Sequence, residues 1–137
     1  MIFTVYGKPQ GKARPRFTRT GHAYTPDSTR DYEDAVRLAY IAADGRKIPA
    51  GTPVCISITA WYAIPKSARG ALRERMTRGE VVPMTKPDWD NIGKIIADAL
   101  NGVAWHDDAQ ITQATVHKVY GVTPMVRVEI KEVQHDA

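Results

Sequence analysis

The chain has 137 residues, 43% of them hydrophobic and 25% charged, and a net charge of +4. That balance is ordinary for one soluble globular domain with a single core, and it argues against wholesale disorder. It excludes a disulfide framework, since Cys55 stands alone, and a helical membrane span, since no apolar run approaches about 18 residues.

The opening residues are apolar, but the stretch is short and lacks the basic flank of a signal peptide. A lone cysteine suits a reducing compartment, so a cytoplasmic protein is expected. Cys55 itself reads as a small apolar residue of a strand.

Residues 2–7 read as a short strand ending at Gly7. Residues 8–27 read as a loop, because Pro9, Gly11, Pro15, Gly21 and Pro26 interrupt any regular element. A loop of that length in a compact domain is usually functional or disordered. A first helix is expected to begin near residues 25–28, where Pro26 suits a first turn and Asp27 and Ser28 suit capping. Tyr32, Ala35, Val36, Ala39 and Tyr40 fall at helical spacing and should face the core, with Gly45 ending the helix.

Residues 53–63 alternate. Val54, Ile56, Ile58, Ala60 and Tyr62 share one face, and Ser57 and Thr59 the other, as in a strand with one buried face. Residues 67–78 suit a short polar helix with Ser67 as its N-cap and little apolar face. Residues 90–100 give the strongest helix signal. There Ile92, Ile95, Ile96, Ala99 and Leu100 form one apolar stripe, and Asn101-Gly102 supplies a stop. Residues 110–120 and 125–133 read as strands joined by a turn at 121–124, and are expected to pair antiparallel. The sum is a single α+β domain over residues 1–137: a mixed sheet of about four strands with packed helices.

Charge is unevenly placed. The first thirty residues hold Lys8, Lys12, Arg14, Arg16, Arg19 and Arg30 against only Asp27. A second basic stretch holds Lys66, Arg69, Arg73, Arg75, Arg78 and Lys86 against Glu74 and Glu80. The acids gather between Asp88 and Asp108. Two basic segments around an acidic cluster suit an anionic polymer and a metal, although a solvated surface would look similar. In the loop at 8–27, cations alternate with stiffening prolines, which suits phosphate contacts. Phe17 and Tyr24 add aromatic surface, able to stack on an unpaired base or to pack in the core.

The chemistry centres on Pro87-Asp88-Trp89-Asp90-Asn91-Ile92-Gly93-Lys94. Asp88 and Asp90 sit where the chain enters a helix, and capping or the helix dipole explains one aspartate better than two. Lys94 lies four residues beyond Asp90 and four before Asp98, so simple ion pairs are available. The apolar stripe puts Asp90, Lys94 and Asp98 on the opposite face. A short return through residues 103–106 then brings Asp107 and Asp108 back toward the same helix. Crowded carboxylates repel, and a hard divalent cation relieves that repulsion. Spacing alone leaves both readings open: a metal site suited to phosphodiester hydrolysis, or caps and surface ion pairs.

Other site types are absent. His22, His106, His117 and His135 lack zinc spacing, and no nucleotide-binding glycine motif or nucleophilic serine elbow occurs.

The sequence resembles the RusA-type Holliday junction resolvases. The resemblance is carried by Asp88-x-Asp90-Asn91-x-x-Lys94, by Asp98-Ala99-Leu100-Asn101-Gly102, and by Trp105-x-Asp107-Asp108-Ala109-Gln110. Gly7-Lys8-Pro9, Arg14-Pro15-Arg16-Phe17 and Tyr24-Thr25-Pro26 also fit the Gram-positive and phage branch, and the likeness covers most of the chain. It implies a homodimeric, Mg²⁺-dependent endonuclease, with Mn²⁺ able to substitute, that nicks four-way DNA junctions symmetrically in recombination and repair. It places catalysis and metal ligation on Asp88, Asp90 and Asp108, the essential lysine on Lys94, and the catalytic segment at residues 86–110. No membrane and no nucleotide cofactor is implied. One departure stands out: where the enterobacterial branch carries an arginine run, residues 82–87 here offer only Lys86. DNA contacts are therefore expected at Lys12, Arg14, Arg16 and Lys86. Cutting two strands wants two sites, most simply in a twofold dimer. A nuclease for other branched or flap DNA, and a non-catalytic DNA-binding module, are the alternatives.

Overall fold

A computed structural model describes residues 1–13 and 16–133, with only the backbone of Arg16. Six strands and three α-helices follow in the order β1 (Ile2–Tyr6), β2 (Arg16–Phe17), β3 (Ala23–Tyr24), α1 (Asp27–Ala42), β4 (Val54–Ala63), α2 (Gly70–Thr77), α3 (Trp89–Leu100), β5 (Ile111–Gly121) and β6 (Met125–Glu132), with a 3₁₀ turn at Asp108–Gln110 before β5. The architecture is α+β in one domain, as the alternation and the helical stripes predict. Among the described residues no helix is long and apolar enough to cross a membrane.

The main sheet runs β1-β6-β4-β5. β4 pairs antiparallel with β6 and parallel with β5, and β1 pairs antiparallel with β6. This corrects the expected β5–β6 hairpin. Residues 122–124 instead carry the chain across the end of β4, where Ala63 lies beside Gly121. Three extended residues reach about 10 Å, roughly two strand spacings, so the short link suffices. β4 has a strand neighbour on each edge, and its alternate residues from Val54 to Tyr62 are all buried on the one face that the helices cover. The loop reading is also refined, since β2 and β3 form a small antiparallel ribbon within residues 8–27.

Phe3, Val5, Val54, Ile56, Ile58, Ala60, Val126, Val128 and Ile130 are buried beneath the helices. On the other face Cys55, Ser57, Thr59 and Trp61 are half-buried, and Arg127 stacks over the Trp61 ring at 5.2 Å. Helix α1 packs on β1 and α3 through Tyr32, Val36 and Tyr40, while Ala35, expected inward, is exposed. The helix ends where the Tyr40 hydroxyl donates to the Arg46 carbonyl and its ring covers Gly45. A Cβ on Gly45 would fall 2.4 Å from that ring, so no larger residue fits without moving it. Helix α2 has Arg69, not Ser67, at its N-cap and buries only Met76, which accords with its weak apolar face.

Helix α3 anchors the functional segment. Ile92, Ile95, Ile96, Ala99 and Leu100 are all fully buried. Each buried Ile or Leu side chain contributes roughly 1.5–3 kcal/mol, which fixes the rotation of the helix and hence the direction of its polar face.

Candidate active site

Asp88 is the N-cap residue of α3, yet its carboxylate makes no capping hydrogen bond. The simplest structural use for that aspartate is therefore unfilled. Upstream, the Tyr62 hydroxyl donates to the Pro87 carbonyl at 2.7 Å, tying the segment to the end of β4. Burial, with the nearby Asp88 charge, pushes the Tyr62 hydroxyl up to about 12, so it stays a donor. Lys118 lies 5.1 Å over the Tyr62 ring and donates to the Thr85 carbonyl at 2.6 Å, holding the same stretch from β5.

Asp90, Lys94 and Asp108 line one opening between α3 and β5. Asp88 lines a neighbouring cleft of about 480 Å³ together with Lys8, Lys12, Lys86 and Asn91. The alternative in which Lys94 simply pairs with Asp90 or Asp98 is not seen among the described residues; Asp98 instead meets Lys12 at 3.3 Å. Both the Asp90 carboxylate and the Lys94 ammonium are exposed, as a surface meant for a charged ligand would be.

The short turn before β5 separates two adjacent aspartates by role. Asp107 caps the 3₁₀ turn, accepting from the Ala109 amide at 3.1 Å. Gln110 completes a reciprocal capping box: its Oε1 accepts from the amides of His106 and Asp107, at 2.9 and 3.0 Å. Its Nε2 donates to the carbonyls of Pro49 and Thr52, both at 2.9 Å. The Asp108 amide donates to Asn101 Oδ1 at 3.1 Å, so the end of α3 holds this residue directly. Asp107 is thus committed to the backbone, and Asp108 is presented to the opening. The carboxyl of Asp108 is pushed above the usual range by the adjoining Asp107 carboxyl, by partial burial and by the Asp98 charge, against a weaker pull from Lys94. Asp107 is held low, chiefly by the Ala109 amide. Negative charge therefore accumulates where Asp108 sits.

Among the described residues, no three carboxylate, histidine or cysteine side chains gather closely enough to chelate a metal unaided. Mg²⁺ does not need such a cage. It is commonly held by one or two carboxylates, several waters and substrate phosphate oxygens. The two carboxylates Asp90 and Asp108 at one opening fit that donor set, and the Lys94 ammonium beside them, with no ion-pair partner among the described residues, is suited to the phosphate instead.

The basic loop is pinned to the acidic helix. The Lys12 amide donates to the Asn91 carbonyl at 3.0 Å, and a Cβ on Gly11 would lie 2.9 Å from Asn91 Cβ. Lys12, expected to face DNA, turns inward: its ammonium lies 3.0 Å from Glu33 on α1 and 3.3 Å from Asp98 on α3. Its charge is balanced within the chain. Burial disfavours that ammonium, but the two carboxylates outweigh it and raise its pKa above the usual 10.5. The contribution to stability is full at neutral pH and fades only as pH climbs past the raised value. Lys12→Met is expected to lower the unfolding free energy by about 2–3 kcal/mol in urea titration, since it strands the nearly buried Glu33. The double variant with Glu33→Gln should recover part of the loss. An unchanged midpoint in Lys12→Met would show that the ion pair is idle.

Lys86 is exposed beside the Asp88 cleft. Arg14 lies outside the described residues, as does the side chain of Arg16. Phe17 and Tyr24 are 71% and 45% exposed, so neither is a core residue. Sequence reasoning missed Lys8 as a cleft-lining cation, and it missed the hold of Asn101 on Asp108 and of Gln110 on the turn that carries it. The second had a visible signal: Asp107-x-x-Gln110 has the spacing of a capping box.

The site is thus an open acidic and cationic surface on a small α+β scaffold. The comparisons place it more closely. The model of the family described as endodeoxyribonuclease RusA matches residues 6–131, so the chain belongs to the RusA family of endodeoxyribonucleases. It is also 35% identical over 135 residues to YqaN of Bacillus subtilis (strain 168), covering 96% of this chain and 95% of that one.

Proposed function

We propose that the protein is a Mg²⁺-dependent, homodimeric resolvase that cuts four-way DNA junctions by paired, symmetric nicks. The observation that carries this reading is the convergence of Asp90, Lys94 and Asp108 on one opening, in a chain of the RusA family. Asp90 and Asp108 would hold the ion, with Asp88 reaching in from the adjoining cleft. When bound, the ion supplies Lewis acidity toward a phosphoryl oxygen and a lowered pKa for water. Lys94 offsets negative charge on the phosphorane or the leaving oxygen. Lys8 and Lys86 hold flanking phosphates along the cleft, joined by Arg14 and Arg16, and these contacts fix the strand without reading its sequence. Lys12 serves as a strut that carries the loop to the helix. The setting is the cytoplasm, in recombination and repair of host or prophage DNA.

The test is a labelled synthetic four-way junction incubated with protein and Mg²⁺. Paired nicks at symmetric positions are expected, with linear duplex and flap DNA cut far more slowly. Equal cutting of a flap would make this a general branched-DNA nuclease, and binding without any product would make it a binding module. Light scattering should return a dimer at micromolar concentration.

Gln110→Ala should raise the Mg²⁺ concentration for half-maximal nicking by about 10–100-fold, the usual cost of losing a residue that orients a ligand. An unchanged Mg²⁺ dependence would show that the Asp108 turn holds itself.

A further inference from the structure

The opening that carries Asp90, Lys94 and Asp108 continues as a mostly apolar groove of about 300 Å³. Its floor is Ile56 and Ile58 of β4 with Ala114 and Val116 of β5. Its wall is the flank of α3, where Gly93 and Ala97 are both small. A Cβ on Gly93 would meet only Val116, at an ordinary 3.8 Å, so there is open space beside this position. Trp89 lines it and is 66% exposed, offering a large flat apolar face with a polar edge. Among the described residues, the groove's polar side-chain groups are the acids, the lysine and the indole N–H of Trp89.

We propose that this groove receives one unstacked nucleobase, from a nucleotide flanking the phosphate that is cut. The inference rests on the resolvase reading above and adds to it what the site recognises. An occupant must be flat and apolar to fill such a slot, and joined to a phosphate to reach Asp90, Lys94 and Asp108 together. A nucleotide meets both conditions. The charge pattern agrees: Lys8 and Lys86 line the cleft beyond Asp88, so a strand held there would bring its next phosphates past the mouth of the groove. With almost no hydrogen-bonding groups inside, the groove holds a base by stacking and exclusion of water, which every base permits. The groove itself therefore contributes selection for branching and leaves any sequence preference to other contacts. A base beside a branch point is already partly unpaired, whereas one in intact duplex must first be pulled from the stack.

The test is a two-by-two comparison of nicking rates. Junctions carry either a normal nucleotide or an abasic one next to the mapped cut, on each side in turn. The protein is the full chain or its Trp89→Ala variant. Removing the base should slow the parent protein about tenfold at one of the two sides. Trp89→Ala should slow cutting of the normal junction by a similar factor, and should then cut normal and abasic junctions alike. Trp89→Phe should restore most of the rate, and Gly93→Val, which fills the slot, should mimic the loss. Independent, multiplying losses would overturn the proposal and leave the resolvase reading standing. So would an abasic junction cut at the normal rate. A shift of Trp89→Ala from dimer to monomer in light scattering would overturn it too, assigning the groove to a second copy of the chain. If the parent protein cuts no junction at all, both readings fall.

Discussion

Asp90→Asn is expected to slow junction nicking by about 10³-fold or more, while junction binding without divalent ions changes less than about twofold. Asparagine keeps the shape of the side chain in the first turn of α3 and removes its charge. The fold should survive, because a first-turn acid contributes only about 0.3–1 kcal/mol through the helix dipole. Chemistry should not, because a proposed metal ligand carries several kcal/mol of transition-state stabilisation, and each 1.36 kcal/mol is tenfold in rate. Binding draws on the cations of the cleft and loop, which the substitution leaves alone. Asp108→Asn should behave similarly. Asp107→Asn should differ in kind, weakening the cap by about 1 kcal/mol or less with a milder effect on nicking. Gel assays of product and of shifted complex separate the two quantities. An Asp90→Asn protein that cuts at the parent rate would remove the metal reading.

Trp105→Ala is expected to destabilise the domain by about 3–5 kcal/mol, which at this size lowers the melting temperature by roughly 10–20 °C. Trp105 is fully buried, in the same core cluster as the apolar residues of α3. It pairs with Asn101 in an isolated bridge, and the Gly102 amide donates to its carbonyl at 2.9 Å. Removing the indole leaves a cavity under the return that brings Asp108 back to α3. Trp105→Phe should cost much less. The indole N–H is buried without a partner among the described residues, so its loss relieves a desolvation penalty that partly offsets the missing volume. Calorimetry on both variants checks the ordering, and equal losses would refute it, since Phe keeps much of the volume that Ala removes.

Legibility in the sequence followed the range of the interactions. The α3 stripe and the alternation of β4 are local patterns, and both elements form with the predicted faces buried. The β5–β6 pairing failed because a short turn looks the same whether its strands pair or straddle a third. Only the need of β4 for two neighbours decides, and that is a property of the whole sheet. The fate of Lys12 was hidden for the same reason: its partner on α3 lies far along the chain, and a cation in a basic loop looks free until the fold closes. Asp107 and Asp108 were distinguished by family likeness alone, although the capping-box spacing of Asp107 and Gln110 offered a physical ground.

The sheet also sets when the molecule can exist. Its first strand pairs with its last, and the strand synthesised midway lies between the two that follow it. The main sheet contains no hairpin of consecutive strands that could form early and wait, so its folding depends on contacts between distant parts of the chain and should be slow for its size. On the ribosome, β1 has no edge to join until residues of β6 emerge. The sheet beneath the acidic opening is therefore complete only once β6 has been made, and a chain interrupted before β6 carries residues 86–110 without that support.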